Sequence, residues 1–450
     1  MIDFLAWFFV CFTLINMLLA LLICALSAIA LRREKSWMVD FEKRLSERWA
    51  VYPPISVVIP AFNEEDSIVA SVKAVLNCRY PAIEVVVVND GSSDSTLTTM
   101  FSAFPLAPLL APKTSGLTSE PVRGAWITAD CQLSLLDKHN GGKADAINAG
   151  INLARSPLVC VVDADTIVHR DTLLHLAEPF FDNPNMVVTG GFIRLRPPVK
   201  GGLSRVLYWL QELEFARSYG CFRAGLNLIH ANVIISGALG LFRRATVIEV
   251  GGYDPLAVGE DMELVLRLHE HCLSKGRPYA IAQIGHATCQ TAACDNLDML
   301  RRQRLRWQRG LLSSLNAYRS LLFKSKAGNV GMIALPYLFI FDVCGPFIEL
   351  TGLVYLFAGL AAGWLHTDWL WSLGAIFFLA AANNMLCLFI DSLYLEQQLP
   401  PLARLRMFLI SLLEPFGYHW LNLWWRIRGS TSYLTSIQTR TTWSMRQKKL

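Results

Sequence analysis

The chain has 450 residues, 53% of them hydrophobic, and 41 Lys and Arg against 36 Asp and Glu give it a net charge of +5. One core stops growing beyond roughly 250–300 residues, so at least two structural units are expected. The basic residues gather at 301–309, 402–406, 426–428 and 446–449, beside apolar runs. That pattern suits anionic headgroups and, with no aromatic-and-basic recognition module, argues against nucleic acid.

The first element expected is a membrane anchor over residues 1–34. Residues 4–31 carry no charge. They exceed both the about 20 residues that a span needs and the about 7–15 of a cleaved signal's core. Arg32, Arg33 and Lys35 follow directly. Positive charge beside a span stays in the cytoplasm, which puts residues 32 to about 325 on that side.

From Ile55 the texture changes. "ISVVIPAF", "IEVVVVND", "SPLVCVVDAD" and "NMVVTGGFI" are continuous β-branched runs, the mark of strands buried on both faces. Helical stretches such as "EEDSIVASVKAVLN" and "GGKADAINAGINLARS" separate them, and this alternation gives an α/β fold class. Residues 101–137 read as a long connection with one strand near Trp126.

Polar residues close three of these strands: Asn63-Glu64, Asp90, and Asp163 with Asp165. In an open α/β sheet ligands bind beyond the carboxyl ends of strands, so these acids are expected to meet in one cleft. A single such Asp is usually a turn or helix cap; three in succession favour a shared site. Asp163-Ala-Asp165 can swing two carboxylates toward one ion, and Mg2+ or Mn2+ takes such oxygen ligands together with substrate phosphates. In "KHNGGKADAIN", Gly141, Gly142 and Lys143 stand at a helix start, where backbone N–H groups favour an anion such as diphosphate. The spacing matches neither a P-loop nor a dinucleotide fingerprint. In "GYDPLAVGEDMELVL", Asp261 falls at an N-cap or first turn, placed to act as a general base. Eleven cysteines include no Cys-x-x-Cys pair; in a cytoplasmic domain they should be reduced, and His286, Cys289 and Cys294 fit no zinc spacing.

"QRLRW" puts Gln303, Arg306 and Trp307 on one helical face, with Arg301 and Arg304 left as headgroup anchors. Beyond it the chain turns apolar again. An interfacial piece is expected over 331–344 and spans over 346–364 and 369–390. For 403–427, interrupted by Glu414, Pro415, Gly417 and His419, a re-entrant or in-plane helix fits best, because charge in hydrocarbon is costly unless it faces protein or water.

Taken in order, "VVIPAFNEE", "VNDGSSDST", "GGKADAIN", "VVDADT", "SGALGLFRR", "GGYDP", "GEDMEL" and "QRLRW" resemble the membrane-embedded family 2 glycosyltransferases. "TTWSMR" near the C-terminus adds to the likeness. The nearest resemblance is to processive synthases of poly-N-acetylglucosamine, hyaluronan and chitin oligosaccharides. It implies a cytoplasmic GT-A domain (nucleotide-sugar-binding, Rossmann-like) over 52–311, interfacial helices over 312–344, a transmembrane or re-entrant region over 345–427 and a basic cytoplasmic tail over 428–450. It implies a UDP-sugar donor with Mg2+ or Mn2+ on Asp163 and Asp165. Asp90 and Glu64 would lie at the base and ribose, Lys143 near the diphosphate, and Asp261 would be the catalytic base. Gln303, Arg306 and Trp307 match the QxxRW signature, which positions the diphosphate and the acceptor's terminal sugar. The expected function is an inverting transferase that polymerises a UDP-sugar into a β-linked exopolysaccharide at a bacterial inner membrane and passes it across. Its partners would be a growing glycan or lipid acceptor, membrane lipids and export proteins. The alternatives are a single-addition transferase acting on a lipid and a silent membrane scaffold. Two departures weaken a cellulose-type reading: no cyclic-di-GMP-binding domain follows the membrane region, and 391–402 do not resemble that type's gating loop. Gly259-Glu260-Asp261 replaces the commoner Thr-Glu-Asp and leaves the acid intact.

Overall fold

The computed structural model describes residues 2–109, 116–198, 201–394 and 401–447. Residues 110–115 of the expected connection and 448–450 of the expected tail lie outside them. The chain divides into two units, one of residues 30–197 and 232–293, the other of 1–29, 198–231 and 294–450.

The first unit is built on a ten-stranded mixed sheet. Its strands are β1 (Ile55–Ala61), β2 (Ile83–Asn89), β3 (Leu106–Pro108), β4 (Val122–Thr128), β5 (Leu133–Lys138), β6 (Leu158–Val162), β7 (Ile167–Val168), β8 (Met186–Arg196), β9 (Leu239–Arg243) and β10 (Ala280–Ala292). They lie in the order β3-β4-β5-β2-β1-β6-β9-β8-β10-β7. The Val/Ile runs form its centre: β5, β2, β1 and β6 are neighbours and run parallel. β1 is buried throughout, as a strand covered on both faces must be. Val58, Val88, Ile147, Ile151, Val161, Leu264 and Val265 join in one core, which packs the helices Lys143–Leu153 and Glu260–Ser274 onto the sheet. The carboxyl ends of β2, β1 and β6 therefore stand side by side.

The connection 101–137 is not a loop with one strand. It carries β3, β4 and β5, paired antiparallel at one sheet edge. β5, "LSLLDK", is entirely buried, but its six residues lack the β-branched signal that announced the other central strands.

The second unit is helical. Residues 198–231 and 294–311, which lie within the expected 52–311 domain, fall in this unit. Leu207, Cys294, Leu300, Tyr418 and Trp425 pack into one core, which ties helix Leu203–Phe215 and helix Leu297–Ala317 to the C-terminal helix. Among the described residues, three helices are long and apolar enough to cross a membrane: Phe4–Met38, Val330–Ala361 and Trp369–Leu393. The break expected at Asp342 to Pro346 is absent. Pro346 removes an N–H and crowds the preceding turn, and the chain absorbs this as a wide π-helical turn, Leu338–Cys344, without leaving the helix. A helix Pro401–Leu413, a turn Glu414–Phe416 and a helix Tyr418–Gln447 complete the unit. The boundary expected at 427/428 thus falls inside one continuous helix. Charged side chains among the apolar helices, Glu414 and His419 included, are matched within this unit. Asp342 pairs with Arg426 at 2.7 Å, Glu349 with His419 at 3.0 Å, and Glu414 with Arg217 at 3.2 Å.

Candidate active site

The loops after β1 and β2 are stitched together by short polar side chains. Asn63, at φ 56°, accepts the Ser93 N–H at 2.8 Å; Asn tolerates this left-handed backbone better than most residues. The Glu64 N–H donates to Thr96 Oγ1 at 2.8 Å, the Glu65 N–H to Asp94 at 3.2 Å, and the Ser95 N–H returns to Glu65 at 2.8 Å. These bonds fix Glu64 at the strand end. Burial raises the Glu64 carboxyl above the usual range; the Ser67 hydroxyl offsets this in part, and the carboxylates of Asp165, Asp163 and Asp94 add to the rise. Glu64 therefore senses the acids that follow β6.

Asp90 is anchored more firmly than its position alone suggests. Its Oδ1 accepts from Lys138 Nζ at 2.6 Å and the Gly141 N–H at 3.0 Å, and its Oδ2 from the Gly142 N–H at 2.8 Å. Lys138 is fully buried and also pairs with Asp145 at 2.6 Å. The amides of Gly141 and Gly142, expected to face an anionic ligand, thus face the protein's own carboxylate. Gly142 has φ 90°, open to glycine and strained for other residues, and that conformation turns the loop onto Asp90 and starts the next helix.

Lys143, at the start of that helix, points at the acids. Its Nζ lies 2.5 Å from Asp163 Oδ1 and 3.7 Å from Glu260 Oε1. Burial works against its charge, but Asp163, Glu260 and Asp261 outweigh it and hold the ammonium above its usual pKa. Asp165 accepts from the Thr291 hydroxyl of β10 at 2.9 Å, and its carbonyl accepts from Arg196 at 2.7 Å. Asp261 lies in the first turn of Glu260–Ser274; its Oδ1 accepts the Met262 N–H at 2.8 Å and its Oδ2 the Gly237 N–H at 3.4 Å. A Cβ at Gly237 would stand 3.2 Å from Lys143 Nζ and 3.7 Å from the Asp261 Cβ. The glycine of "SGALG" lets the backbone before β9 touch both residues. The "GGYDP" loop that leads into the Asp261 helix is clamped by Asn148, which exchanges two 2.8 Å hydrogen bonds with the Tyr253 backbone.

Asp163, Glu260 and Asp261 are thus gathered around Lys143, and Glu64 lies in the field of Asp163 and Asp165, within one unit. Asp163 and Lys143 are each about one-third exposed, open enough to meet a ligand. Two carboxylates just beyond one strand end, Asp163 and Asp165, are a donor set that suits a hard divalent cation. Lys138, Thr291 and Gly237 touch Asp90, Asp165 and Asp261; the sequence singles out none of the three, although Gly237 lies within "SGALG".

Gln303, Arg306 and Trp307 lie in the other unit, on helix Leu297–Ala317, which the Asn296 side chain caps by accepting the Asp298 and Met299 N–H groups at 3.1 and 2.9 Å. Arg306 is exposed and Trp307 is 45% exposed. Arg304 is not a headgroup anchor. It is buried, pairs with Glu214 and stacks 4.2 Å from the Trp307 ring centre; Glu214 also accepts from Tyr418 at 2.8 Å and Asn422 at 2.7 Å. An anchor would have kept its guanidinium in water; here the part-buried Glu214 carboxylate is the better partner. This network holds Trp307 in place and leaves Arg306 outward.

Residues 125–310 match the family described as "Glycosyltransferase like family 2", and residues 56–106 match "Glycosyl transferase family 2". A poly-beta-1,6-N-acetyl-D-glucosamine synthase of Staphylococcus aureus (strain MSSA476) is 30% identical over 256 residues, 57% of this chain and 54% of that protein. A synthase of the same name from Staphylococcus epidermidis is 27% identical over 257 residues, with the same shares. The chain therefore spans about half the length of the curated relatives it matches. A mannosyltransferase from Pyrobaculum calidifontis, solved with GDP-Man and Mn2+, superposes with a TM-score of 0.54 at 19% identity, covering 89% of this chain and 99% of that one. At that identity the likeness is one of fold, a mixed sheet of the GT-A type.

Proposed function

This chain carries family 2 glycosyltransferase domains, and from that premise we propose that it is an inverting transferase. It would polymerise a UDP-sugar into a β-linked exopolysaccharide at a bacterial inner membrane and pass the product across. The observation that carries the reading is the gathering of Asp163, Glu260 and Asp261 around Lys143, with Glu64 in the field of Asp163 and Asp165. The named synthase relatives and the apolar helices support the polymer and the membrane.

The roles follow from chemistry. Asp163 and Asp165 would hold Mg2+ or Mn2+, which when bound supplies charge neutralisation at the diphosphate. Asp90, locked by Lys138 and the two glycine amides, keeps acceptor capacity on Oδ2 for the base or ribose, beside Glu64. Lys143 offers a positive charge to the departing diphosphate. Asp261 takes the proton of the acceptor hydroxyl. As that oxygen bonds to the anomeric carbon, the bond to UDP breaks on the opposite face, so an α-linked donor gives a β product. Gln303 and Arg306 present a donor and acceptor pair and a guanidinium suited to phosphate. Trp307 offers a flat face to a sugar ring. The acceptor is a growing glycan or a lipid, the surroundings are membrane lipids, and export proteins would receive the product.

The test is direct. Purified chain in detergent is incubated with radiolabelled UDP-N-acetylglucosamine, UDP-glucose or UDP-glucuronate, and the product is sized. Long chains from one donor support polymerisation. A single added sugar supports the lipid-acceptor alternative, and no transfer from any donor removes both.

A further inference from the structure

Three cysteines far apart in the chain meet in the helical unit. Cys24 lies on helix Ile2–Met38, Cys221 on the π-helical stretch Ala216–Arg223 and Cys387 on helix Trp369–Tyr394. Their sulfur atoms all lie within 4.8 Å of one another, and Cys24 Sγ stands 3.4 Å from Cys387 Sγ. All three residues are buried, with exposures of 2%, 3% and 2%. We propose that Cys24, Cys221 and Cys387 form a three-thiolate site for a thiophilic metal ion of the Zn2+ or Cu+ class.

Metal–thiolate bonds of about 2.3 Å place ligand sulfurs about 3.8–4.0 Å apart around one ion, whether tetrahedral or trigonal. The observed cluster brackets that spacing with little rearrangement. All-sulfur ligation selects soft ions over Mg2+ or Mn2+, which separates this site from the carboxylates of the other unit. A fourth donor is at hand: Asn383 Oδ1 lies 3.8 Å from Cys24 Sγ, one helical turn before Cys387. A second observation concerns the backbone. Cys221 sits in a π-helical stretch, a rare wide turn that is frequent at functional sites. The turn is pinned where it faces Cys24: the Ser27 hydroxyl, three residues along from Cys24, donates to the Gly220 carbonyl at 2.5 Å. Binding would release the thiol protons to solvent, so affinity rises with pH.

The test uses full-length, tag-free chain in detergent with a phosphine reductant, stripped by a chelator. Cd2+ is titrated while thiolate-to-metal charge-transfer absorption is read, and Zn2+ and Cu+ then compete. The expected result is one Cd2+ per chain, displaced by whichever ion the site prefers. Cys24→Ser, Cys221→Ser or Cys387→Ser each weakens binding by at least the roughly 10–100-fold that loss of a ligand's outer-shell partner costs, whereas Cys272→Ser, a buried cysteine of the other unit, does not. The wild-type titration stands without any variant that might misfold. A flat titration, meaning close-packed thiols only, or a band that survives removal of all three cysteines overturns the proposal.

Discussion

The two units treat charge in opposite ways. In the helical unit each costly charge has been cancelled by a partner of its own: Arg304 with Glu214, Arg217 with Glu414, Arg426 with Asp342, His419 with Glu349. In the α/β unit, Asp163, Glu260 and Asp261 share Lys143 and hold its ammonium pKa up, while burial first, and then the field of Asp165 and Asp163, raises the carboxyl pKa of Glu64. A matched pair is a structural element whose loss is felt in stability. An excess of one sign, held open at strand ends, is held ready for a counter-charge from outside the chain, and its loss is felt in function.

That contrast breaks most sharply at Asp261. Asp261→Asn should lower sugar transfer on the order of 10²–10⁴-fold, the usual worth of a general base, while thermal unfolding in detergent stays unchanged; full activity in a folded variant would remove the assignment. Arg304→Met should do the reverse in kind. It leaves the part-exposed Glu214 with Tyr418 and Asn422 as donors, a lost charged hydrogen bond worth about 1–3 kcal/mol, read as a lowered unfolding midpoint. His269 sharpens the comparison within the α/β unit. Burial depresses it to about 4, only partly offset by its hydrogen bond to the Asn232 carbonyl. Its folded pKa lies below the unfolded value of about 6.5, so its contribution is present above pH 6.5 and is lost as pH falls toward 4. Unfolding free energy should drop by about 2–3 kcal/mol between pH 7.5 and 4.5 from this group, and His269→Gln should flatten that slope. The smallest effect belongs to Asn296→Ala, which removes a helix cap at a cost of about 1 kcal/mol, with no change in donor binding.

Much of the α/β unit was legible because its physics is local. "VVIPAF" and "EVVVVND" announce buried strands, and acids at their ends announce a site, since strand ends in such sheets are neighbours by construction. The strands of the 101–138 connection were not legible: "LSLLDK" is buried by its partners β2 and β4, not by its own composition. Lys138 was hidden for a related reason. A lysine in a strand reads as solvated, and only the fold shows that Asp90 and Asp145 enclose it. The glycine amides of 141–142 were misdirected toward a ligand, because their actual partner, Asp90, lies 51 and 52 residues away in sequence. In the helical unit the apolar runs were plain, but the continuity at Pro346 and the partners of Asp342 and Glu414 depend on contacts between distant helices. Cys24, Cys221 and Cys387 have no spacing that could announce them, since no local motif joins them.

The most direct measurement is calorimetric titration of UDP into the purified chain, with and without Mn2+, for the wild type and for Asp163→Asn/Asp165→Asn. If the crowded carboxylates exist to gather a cation and a nucleoside diphosphate, the wild type binds UDP only with the metal and the double variant does not bind it. Metal-independent UDP binding that survives the double substitution would contradict that claim.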